Sequence, residues 1–193
     1  MNETRVGLAM CGSFCTFEKA FTAIEKLSNE YDDIVPIMSE ISQTADTRFG
    51  KAAEHLERLE SITGKNIIRT IAQAEPIGPK KLLDVLVIVP CTGNTLAKIA
   101  NGITDSCVSM AAKAHLRNRR PLIIALTSND ALKGNAENLG RLLARENIYF
   151  VPMYQDDPVG KPASLTADLN LLSDTIKEAI EGRQLQPVFV KNI

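Results

Sequence analysis

The sequence predicts an α/β fold, Rossmann-like or flavodoxin-like, in which helices cover both faces of a parallel sheet and form three layers. Short apolar runs alternate along the chain with segments of helical periodicity, an order typical of repeated strand–helix units. The clearest apolar run, residues 85–89, is rich in β-branched residues and shows no alternation with polar ones. It therefore predicts a central strand that is buried on both faces.

The first part of the chain contains two predicted strand–helix units. Residues 5–11 form the first strand. The helix after it has an apolar face made of Phe17, Phe21, Ile24 and Leu27. Residues 33–38 form the second strand, and Pro36 places it near an edge or a bend because proline cannot donate to a sheet. Residues 51–62 form the second helix, which ends at Gly64. Its inward positions are Ala52, Leu56 and Leu59.

The middle of the chain is expected to hold a short strand at 66–70, the central strand and a long helix. Pro90 is predicted to end the central strand because it has no N–H group. The helix is predicted over residues 95–116, with Asn94 or Thr95 as its N-terminal cap.

The last part of the chain repeats the same alternation. Residues 121–126 are predicted as a strand, 134–146 as a helix, 149–153 as a strand and 166–181 as a closing helix. The segment 154–164 is rich in Asp, Pro and Gly, which favours a mobile lid or a subunit contact.

Length and composition restrict the class of protein. A chain of 193 residues suits one domain over 1–193, and a net charge of −1 without Trp argues against nucleic-acid binding. No apolar run approaches a membrane span in length, so no membrane association is expected. The four cysteines lack paired spacing, which favours reduced thiols in a cytosolic protein. With only two histidines, we expect no metal site.

Polar residues collect where the predicted strands end. The four strand ends are residues 12–14, Ser39, 91–95 and 126–129. Ligands of parallel sheets bind beyond the carboxyl ends of the strands. Because these ends carry hydroxyls and amides and no acidic residue, they predict a phosphorylated cofactor held by dipoles and hydroxyls rather than by a metal.

At these positions the chain resembles the flavoprotein family of homo-oligomeric flavin-containing cysteine decarboxylases, whose relatives include the flavin prenyltransferases. Gly12 and Ser13 match the end of the family's first strand, and residues 90–95 match its Pro-Ala-Ser/Thr-Ala-Asn-Thr motif. Residues 96–103 and 47–49 match as well. The resemblance covers most of the chain. It implies FMN as the cofactor and a trimer-based homo-oligomer with flavin at the boundaries between protomers.

Two departures from the decarboxylase pattern disfavour cysteine decarboxylation. The decarboxylases have a His ahead of the central strand, whereas residues 75–79 here contain none. Their Pro-x-Met-Asn-x-x-Met carboxylate clamp is replaced by residues 126–132, although Asn94 and Asn129 are retained as amides that could contact a ligand.

A second resemblance runs nearly end to end and points to one branch of this family. Residues 75–84, 110–118, 147–152 and 155–158 are similar to the flavoprotein component of a two-component enzyme of spore-forming bacteria. That enzyme oxidises dihydrodipicolinate to dipicolinate. The resemblance implies an NAD(P)-binding partner protein, a small dicarboxylate substrate and a place in the cytoplasm of the sporulating mother cell.

Other functions stay open at this point. The chain could be a flavin-dependent decarboxylase or prenyltransferase for another small acid, or a non-catalytic partner that regulates the other component. Within the oxidoreductase hypothesis, either the flavin or the partner's nicotinamide could take the hydride. Because the product is an aromatic pyridine, the reaction requires a hydride acceptor more than a strong base.

The strand ends and the resemblance together define the candidate site. Asn94 is the candidate catalytic residue. The predicted cofactor-binding residues are Gly12, Ser13, Phe14, Ser39, Cys91, Thr92, Asn94, Thr95, Ser109, Leu126 and Thr127.

Several reactive side chains are expected to be structural. Cys91 is expected to be a small buried residue, and His55 to lie on a charged helix surface. His115 and the arginines after it, Arg117, Arg119 and Arg120, are expected to be solvated at a helix end, where cations favour the dipole. One of these arginines could instead serve the site of a neighbouring protomer.

Overall fold

The chain alternates strands and helices as the sequence predicts. A computed structural model describes residues 2–191, so both ends of the domain predicted over 1–193 lie outside the described residues. The strands are β1 Asn2–Met10, β2 Tyr31–Met38, β3 Val85–Cys91, β4 Leu122–Ser128, β5 Ile148–Phe150, β6 Met153–Tyr154 and β7 Leu165–Ala167. The α-helices are α1 Phe17–Ser28, α2 Glu40–Thr44, α3 Ala52–Thr63, α4 Ile71–Ala74, α5 Gly93–Ala100, α6 Cys107–Leu116, α7 Ala136–Leu143 and α8 Leu172–Ile180.

Five parallel strands form the body of the sheet in the order β2-β1-β3-β4-β5. Beyond the part of β4 that pairs with β5, β4 pairs antiparallel with β7, which in turn pairs antiparallel with β6. The sheet is therefore mixed and has seven strands within residues 2–191. The three-layer, flavodoxin-like architecture is confirmed, and two short antiparallel strands are added to the parallel sheet that the sequence predicts.

The core lies on both sides of β3, whose seven residues are all buried. Val85, Val87 and Val89 pack with α1, α3 and α8 on one face, and Leu86 and Ile88 pack with α4 to α7 on the other. Burying one such side chain contributes about 1.5–3 kcal/mol. Helices must therefore cover both faces of the sheet.

The elements at the start of the chain follow the predicted pattern. The four apolar positions of α1 are all buried. Strand β2, which contains Pro36, lies at the sheet edge. Helix α3 ends at Gly64 with a φ of 65°, a left-handed conformation that glycine adopts without steric cost. Ala52 and Leu59 are buried, and Leu56 is half-buried.

The strand predicted at 66–70 is reduced to a single bridge between Ile68 and Ile37. The hydrogen bonds are Ile68 N to Pro36 O at 2.9 Å and Met38 N to Ile68 O at 3.1 Å. The bridge stops there because Thr70 caps α4 and accepts a hydrogen bond from Gln73 N.

The central strand continues through Pro90, contrary to the prediction. Pairing with β4 is interrupted after Ile88 and returns at Cys91, opposite Leu126. The Pro90 carbonyl accepts from Cys11 N at 3.2 Å, so proline still takes part in the sheet through its oxygen. The cap of α5 is Thr92 rather than Asn94 or Thr95, since its Oγ1 accepts from Thr95 N at 3.2 Å.

The helix predicted over 95–116 is two helices, α5 and α6. Gly102, with a φ of 71°, follows the end of α5, and the Ser106 side chain accepts from Ser109 N at the start of α6. The apolar pattern continues across this break. The predicted single helix spans the break because Gly102 and the Ser106 cap do not interrupt the apolar periodicity.

The last third of the chain differs most from the prediction. The strand predicted at 149–153 is divided between β5 and β6, with Pro152 between them. The helix predicted from 166 begins as β7, and α8 starts only at Leu172, because Asp168 caps a turn of 3-10 helix by accepting from Asn170 N. The described chain ends against β6, where Met153 N bonds Val188 O at 2.9 Å and Val190 N bonds Met153 O at 3.0 Å.

Residues 2–191 contain neither a membrane-crossing helix nor a metal-binding cluster. No helix in this part of the chain is long and apolar enough to cross a membrane, and it holds no group of three or more His, Cys, Asp or Glu arranged for a metal ion. The four cysteines are free thiols, and Cys91 is fully buried as expected.

Both histidines are buried, so the surface positions expected for them are wrong. The His55 ring stacks on Phe21 at 5.8 Å and meets Phe17 edge-on at 4.9 Å between ring centroids. His115 is fully buried, and its Nε2 lies 2.9 Å from the Pro121 carbonyl, to which it donates. Burial lowers the pKa of His115 to about 4.

The buried His115 predicts a loss of stability in acid. The ordinary pKa of histidine is 6.5, so below this pH the His115 ring is protonated in the unfolded protein. In the folded protein the ring stays neutral until about pH 4. The free energy of unfolding should therefore fall by about 3 kcal/mol across this window through His115. Urea unfolding between pH 7.5 and 4.5 should show a shallower fall for His115→Asn than for the wild type. The contribution of His55 to the pH dependence is the same in both proteins and cancels in the difference between them. Parallel pH curves for the two proteins would contradict the prediction.

Candidate functional site

The strand order creates one place where neighbouring loops diverge. The chain leaves β1 toward β2 on one side, and β3 leads to β4 on the other, so the loops after β1 and β3 separate at the carboxyl end of the sheet. Such a switch point is where open α/β sheets bind ligands. A cavity of about 850 Å³ lies there.

Loops from both sides of this switch point line the cavity, which we call the cleft. Its walls come from residues 12–16, 47–49, 92–94 and 127–130, together with Lys19, Asn135, Tyr154, Asp156, Lys161, Ser164 and Thr166. Three of the four predicted strand ends therefore meet at one site.

Six predicted site residues line the cleft: Gly12, Ser13, Phe14, Thr92, Asn94 and Thr127. Asn94 is exposed in the first turn of α5. The Thr127 Oγ1 atom is buried and has no hydrogen-bond partner among residues 2–191. A ligand in the cleft could satisfy this hydroxyl, since a buried polar atom without a partner is costly. The roles of these residues stay predictions.

Five predicted site residues do not line the cleft. Cys91 and Leu126 are fully buried in the core. The Ser39 hydroxyl lies 2.8 Å from that of Ser42, and Ser109 bonds Ser106 at the start of α6. Thr95 Oγ1 lies 3.3 Å from Cys11 Sγ. The side chains of these five residues already contact other parts of the protein.

The turn after β1 forms one wall of the cleft. Thr16 N bonds Ser13 O at 2.9 Å, and the hydroxyls of Ser13 and Thr16 are 3.4 Å apart. A Cβ at Gly12 would lie 3.0 Å from Ile41 Cγ2, so α2 packs closely over this turn. The turn leads through a short 3-10 helix into α1, and backbone N–H groups at such a start have no partners within the helix.

An acidic network forms the opposite end of the cleft, where the sequence predicted no acidic residue. The Asp130 carboxylate accepts from Ser128 Oγ at 2.5 Å and from Asn135 Nδ2 at 2.9 and 3.0 Å. These donors hold the pKa of Asp130 below its usual range, so it is charged at neutral pH.

Asp130 lies against the first turn of α5. A Cβ at Gly93 would come within 2.9 Å of Asp130 Oδ1, 2.6 Å of Ser128 Oγ and 2.7 Å of Asn135 Nδ2. A carboxylate here is favourable because the N-terminal end of a helix carries partial positive charge. This helix end, which the sequence predicted as part of the site of a phosphorylated cofactor, therefore already has an anion that would repel a phosphate.

The cations of the cleft come from other segments. Lys161 Nζ pairs with Asp156 Oδ2 at 3.0 Å, and the Arg48 guanidinium lies 4.8 Å from the centre of the Phe49 ring. Lys19 is exposed and makes no ion pair within the described part of the chain. An anionic ligand group is therefore favoured near these side chains rather than near Asp130.

Sequence reasoning missed several residues of the cleft. Residues 47–49 were visible only as a family match, and the segment 154–164, predicted as a lid or subunit contact, supplies Tyr154, Asp156, Lys161 and Ser164. Asn135 gave no signal, because it is brought to the cleft by the turn before α7.

Comparison with known proteins assigns the chain to a family. Residues 1–179 match the Flavoprotein family. The chain belongs to this family. The flavoprotein is 46% identical over 188 residues to the B subunit of dipicolinate synthase from Bacillus subtilis, a match that covers 97% of this chain and 94% of the relative. It is also 37% identical over 124 residues to the flavin prenyltransferase UbiX of Thermoplasma acidophilum, covering 60% of this chain and 69% of the relative.

Solved structures agree with this assignment. The structure of the dipicolinate synthase B subunit from Bacillus halodurans C superposes on this flavoprotein with a TM-score of 0.90 at 41% identity, over 100% of both chains. The FMN-dependent cysteine decarboxylase SpaF has a TM-score of 0.69 at 22% identity, covering 93% of this chain and 97% of that one, which shows a shared fold.

The contacts around Gly93 predict that this position does not tolerate a side chain. Gly93→Ala would push Ser128, Asp130 and Asn135 apart and should lower the free energy of unfolding by about 1–3 kcal/mol. Gly140→Ala in α7 is the matched control, because a Cβ there meets nothing within 4 Å and alanine favours the helix. Urea unfolding compares the two variants. Equal effects on stability would contradict the packing argument.

Proposed function

We propose that this flavoprotein is the B subunit of a dipicolinate synthase. It binds FMN and a small dicarboxylate and acts with the A subunit, which carries NAD(P), to oxidise dihydrodipicolinate to dipicolinate in the mother cell of a sporulating bacterium. The observation that carries the proposal is the 46% identity to a B subunit along 97% of the chain.

The cleft suits FMN in size and chemistry. Its volume of about 850 Å³ falls within the range usual for ligand and cofactor sites. Its walls are closely packed at Gly12 and Gly93, where a Cβ would meet neighbouring side chains, and Thr127 offers a hydroxyl without a partner within residues 2–191. We assign the phosphate to the turn 12–14 and to the exposed Arg48, because Asp130 repels an anion at the α5 end.

The proposed reaction makes modest demands on this chain. Converting a dihydropyridine into a pyridine removes a hydride and a proton, and the product gains aromaticity. FMN, when bound, supplies a hydride acceptor. The residues of the cleft would bind and orient the substrate and exclude water. Both histidines are buried elsewhere, so the cleft contains no imidazole, and Asn94 would orient the substrate or the flavin by hydrogen bonding.

Tyr154 could supply a neutral donor to the substrate. Burial, together with the nearby charges of Asp168 and Asp156, raises the pKa of its phenol. The group therefore stays protonated at neutral pH and can donate a hydrogen bond to a carboxylate.

The cleft also fits assembly as a homo-oligomer. Phe49 lines the cleft and is 40% exposed, and Ile41, which packs on Gly12 near the cleft, is 57% exposed. We propose that another copy of this chain covers these side chains and closes the flavin site in a trimer-based assembly.

The proposal predicts how the absorption spectrum responds to substrate. The purified chain loaded with FMN should show flavin bands that bleach when fresh dihydrodipicolinate is added without oxygen. Bleaching would identify the flavin of this chain as the hydride acceptor. Bound flavin that stays oxidised until the A subunit and NAD(P) are present would place the redox step on the A subunit. A chain that never binds FMN would contradict the proposal.

The site assignment predicts that Asn94→Asp weakens ligand binding without unfolding the protein. The variant adds a negative charge to a cleft that already contains Asp130, so the affinity for FMN or for the dicarboxylate should fall about tenfold. Asn94 is exposed, and the thermal midpoint should stay unchanged. Asn66→Asp, an equal charge change at an exposed position outside the cleft, is the control for titrations followed by flavin fluorescence. Unchanged affinity and activity in Asn94→Asp would remove Asn94 from the site.

A further inference from the structure

A second cavity of about 250 Å³ adjoins the cleft. We call it the side lobe. It shares Thr16, Lys19, Tyr154 and Thr166 with the cleft and extends from there between α1 and the segment 166–170. Its volume is less than a third of that of the cleft, so it is suited to one small ring or short acid rather than to a second nucleotide.

One wall of the side lobe is a face of α1. Lys19, Thr22, Ala23 and Lys26 all line it. Lys19 and Lys26 are seven residues apart, which puts them on the same face of the helix and about 10 Å apart along it. Ala23 lies between them and is buried, so the small side chain leaves room for a ligand between the two ammonium groups.

The acidic residues of α1 do not neutralise these lysines. Arg58 of α3 bonds Glu18 at 2.9 Å and Glu25 at 3.0 Å, which draws both carboxylates toward α3. Neither Lys19 nor Lys26 makes an ion pair within residues 2–191.

The opposite wall adds further donors and one acid. Tyr154, Thr166 and Asn170 supply hydroxyl and amide groups. Asp168 also lines this wall, and its Oδ1 accepts from Asn170 N and Nδ2, both at 3.1 Å. The lobe therefore has two cations against one carboxylate that already has donors of its own.

We propose that the side lobe is the substrate subsite, in which Lys19 and Lys26 bind the two carboxylates of a small cyclic dicarboxylate beside the flavin cleft. The inference rests on the proposed function and names where its substrate binds. Asp130 repels carboxylates from the α5 end of the cleft, and Lys161 is already paired with Asp156. Lys19 lines both cavities and would hold the substrate at their junction.

The test measures binding of dipicolinate, the stable reaction product, by calorimetry on the full chain with and without FMN. Lys26→Gln and Lys19→Gln should each weaken dipicolinate binding about fivefold. Picolinate, with one carboxylate, should bind the wild type more weakly than dipicolinate and respond less to Lys26→Gln. Glutamine is chosen because Lys26 lies in the last turn of α1, where a new negative charge would disturb the helix end.

Lys113→Gln is the matched control, since Lys113 is exposed on α6, which contributes no residue to the cleft or the side lobe. It should leave dipicolinate affinity unchanged, and Lys26→Gln should leave FMN affinity unchanged. Equal losses in all three variants, or no loss in Lys26→Gln, would overturn the subsite. A parallel loss of FMN and inorganic phosphate binding in Lys26→Gln would also overturn it, because Lys26 would then bind the phosphate of the cofactor instead. Dipicolinate binding that depends on Lys26 in a chain without FMN affinity would support the lobe while contradicting the proposed function.

Discussion

The rest of the structure depends on the burial of β3 on both faces. A strand with no exposed side chain needs helices above and below it and a hydrogen-bonded strand on each side. Helices α1, α3 and α8 meet one face of β3, and α4 to α7 meet the other. With β1 on one side and β4 on the other, the loops after these three strands must emerge at the same end of the molecule. The cleft is the space between those loops, so the site follows from how the core is packed.

Charged side chains give the two sides of the cleft opposite electrostatic character. At the α5 end, Asp130 is fixed by Ser128 and Asn135 and takes the place where a phosphate would otherwise meet the helix dipole. At the α1 side, Arg58 draws Glu18 and Glu25 away and leaves the lysines of the same helix facing the side lobe. The same helix thus presents opposite charges to two neighbours. The result is a candidate site with an anionic end and a cationic end.

The sequence predicted the fold well where periodicity reports burial, as in α1 and β3. It predicted poorly where a few cap or turn residues decide, as at Gly102 between the two helices and at Asp168 before α8. Three of the four predicted strand ends line the cleft, but the residues predicted there include side chains that point into the core. Cys91 and Leu126 face each other across two strands and point into the core, whereas the next residues, Thr92 and Thr127, line the cleft. Successive side chains of a strand point to opposite faces, so a prediction that takes both residues at a strand end includes one core residue beside one residue of the cleft. No local pattern identifies Asn135, which only the folded chain brings to Asp130.

The pairing of the C-terminal segment with β6 has a practical meaning for handling the protein. Met153 exchanges hydrogen bonds with Val188 and Val190, so residues 188–190 cover the β6 edge of the mixed sheet. An uncovered border of this kind offers free N–H and C=O groups to a second molecule. The pairing of residues 188–190 with β6 therefore protects this edge from pairing with a strand of another molecule. Affinity tags, fusions and truncations that disturb residues 188–190 would favour aggregation, although none of these residues lines the cleft.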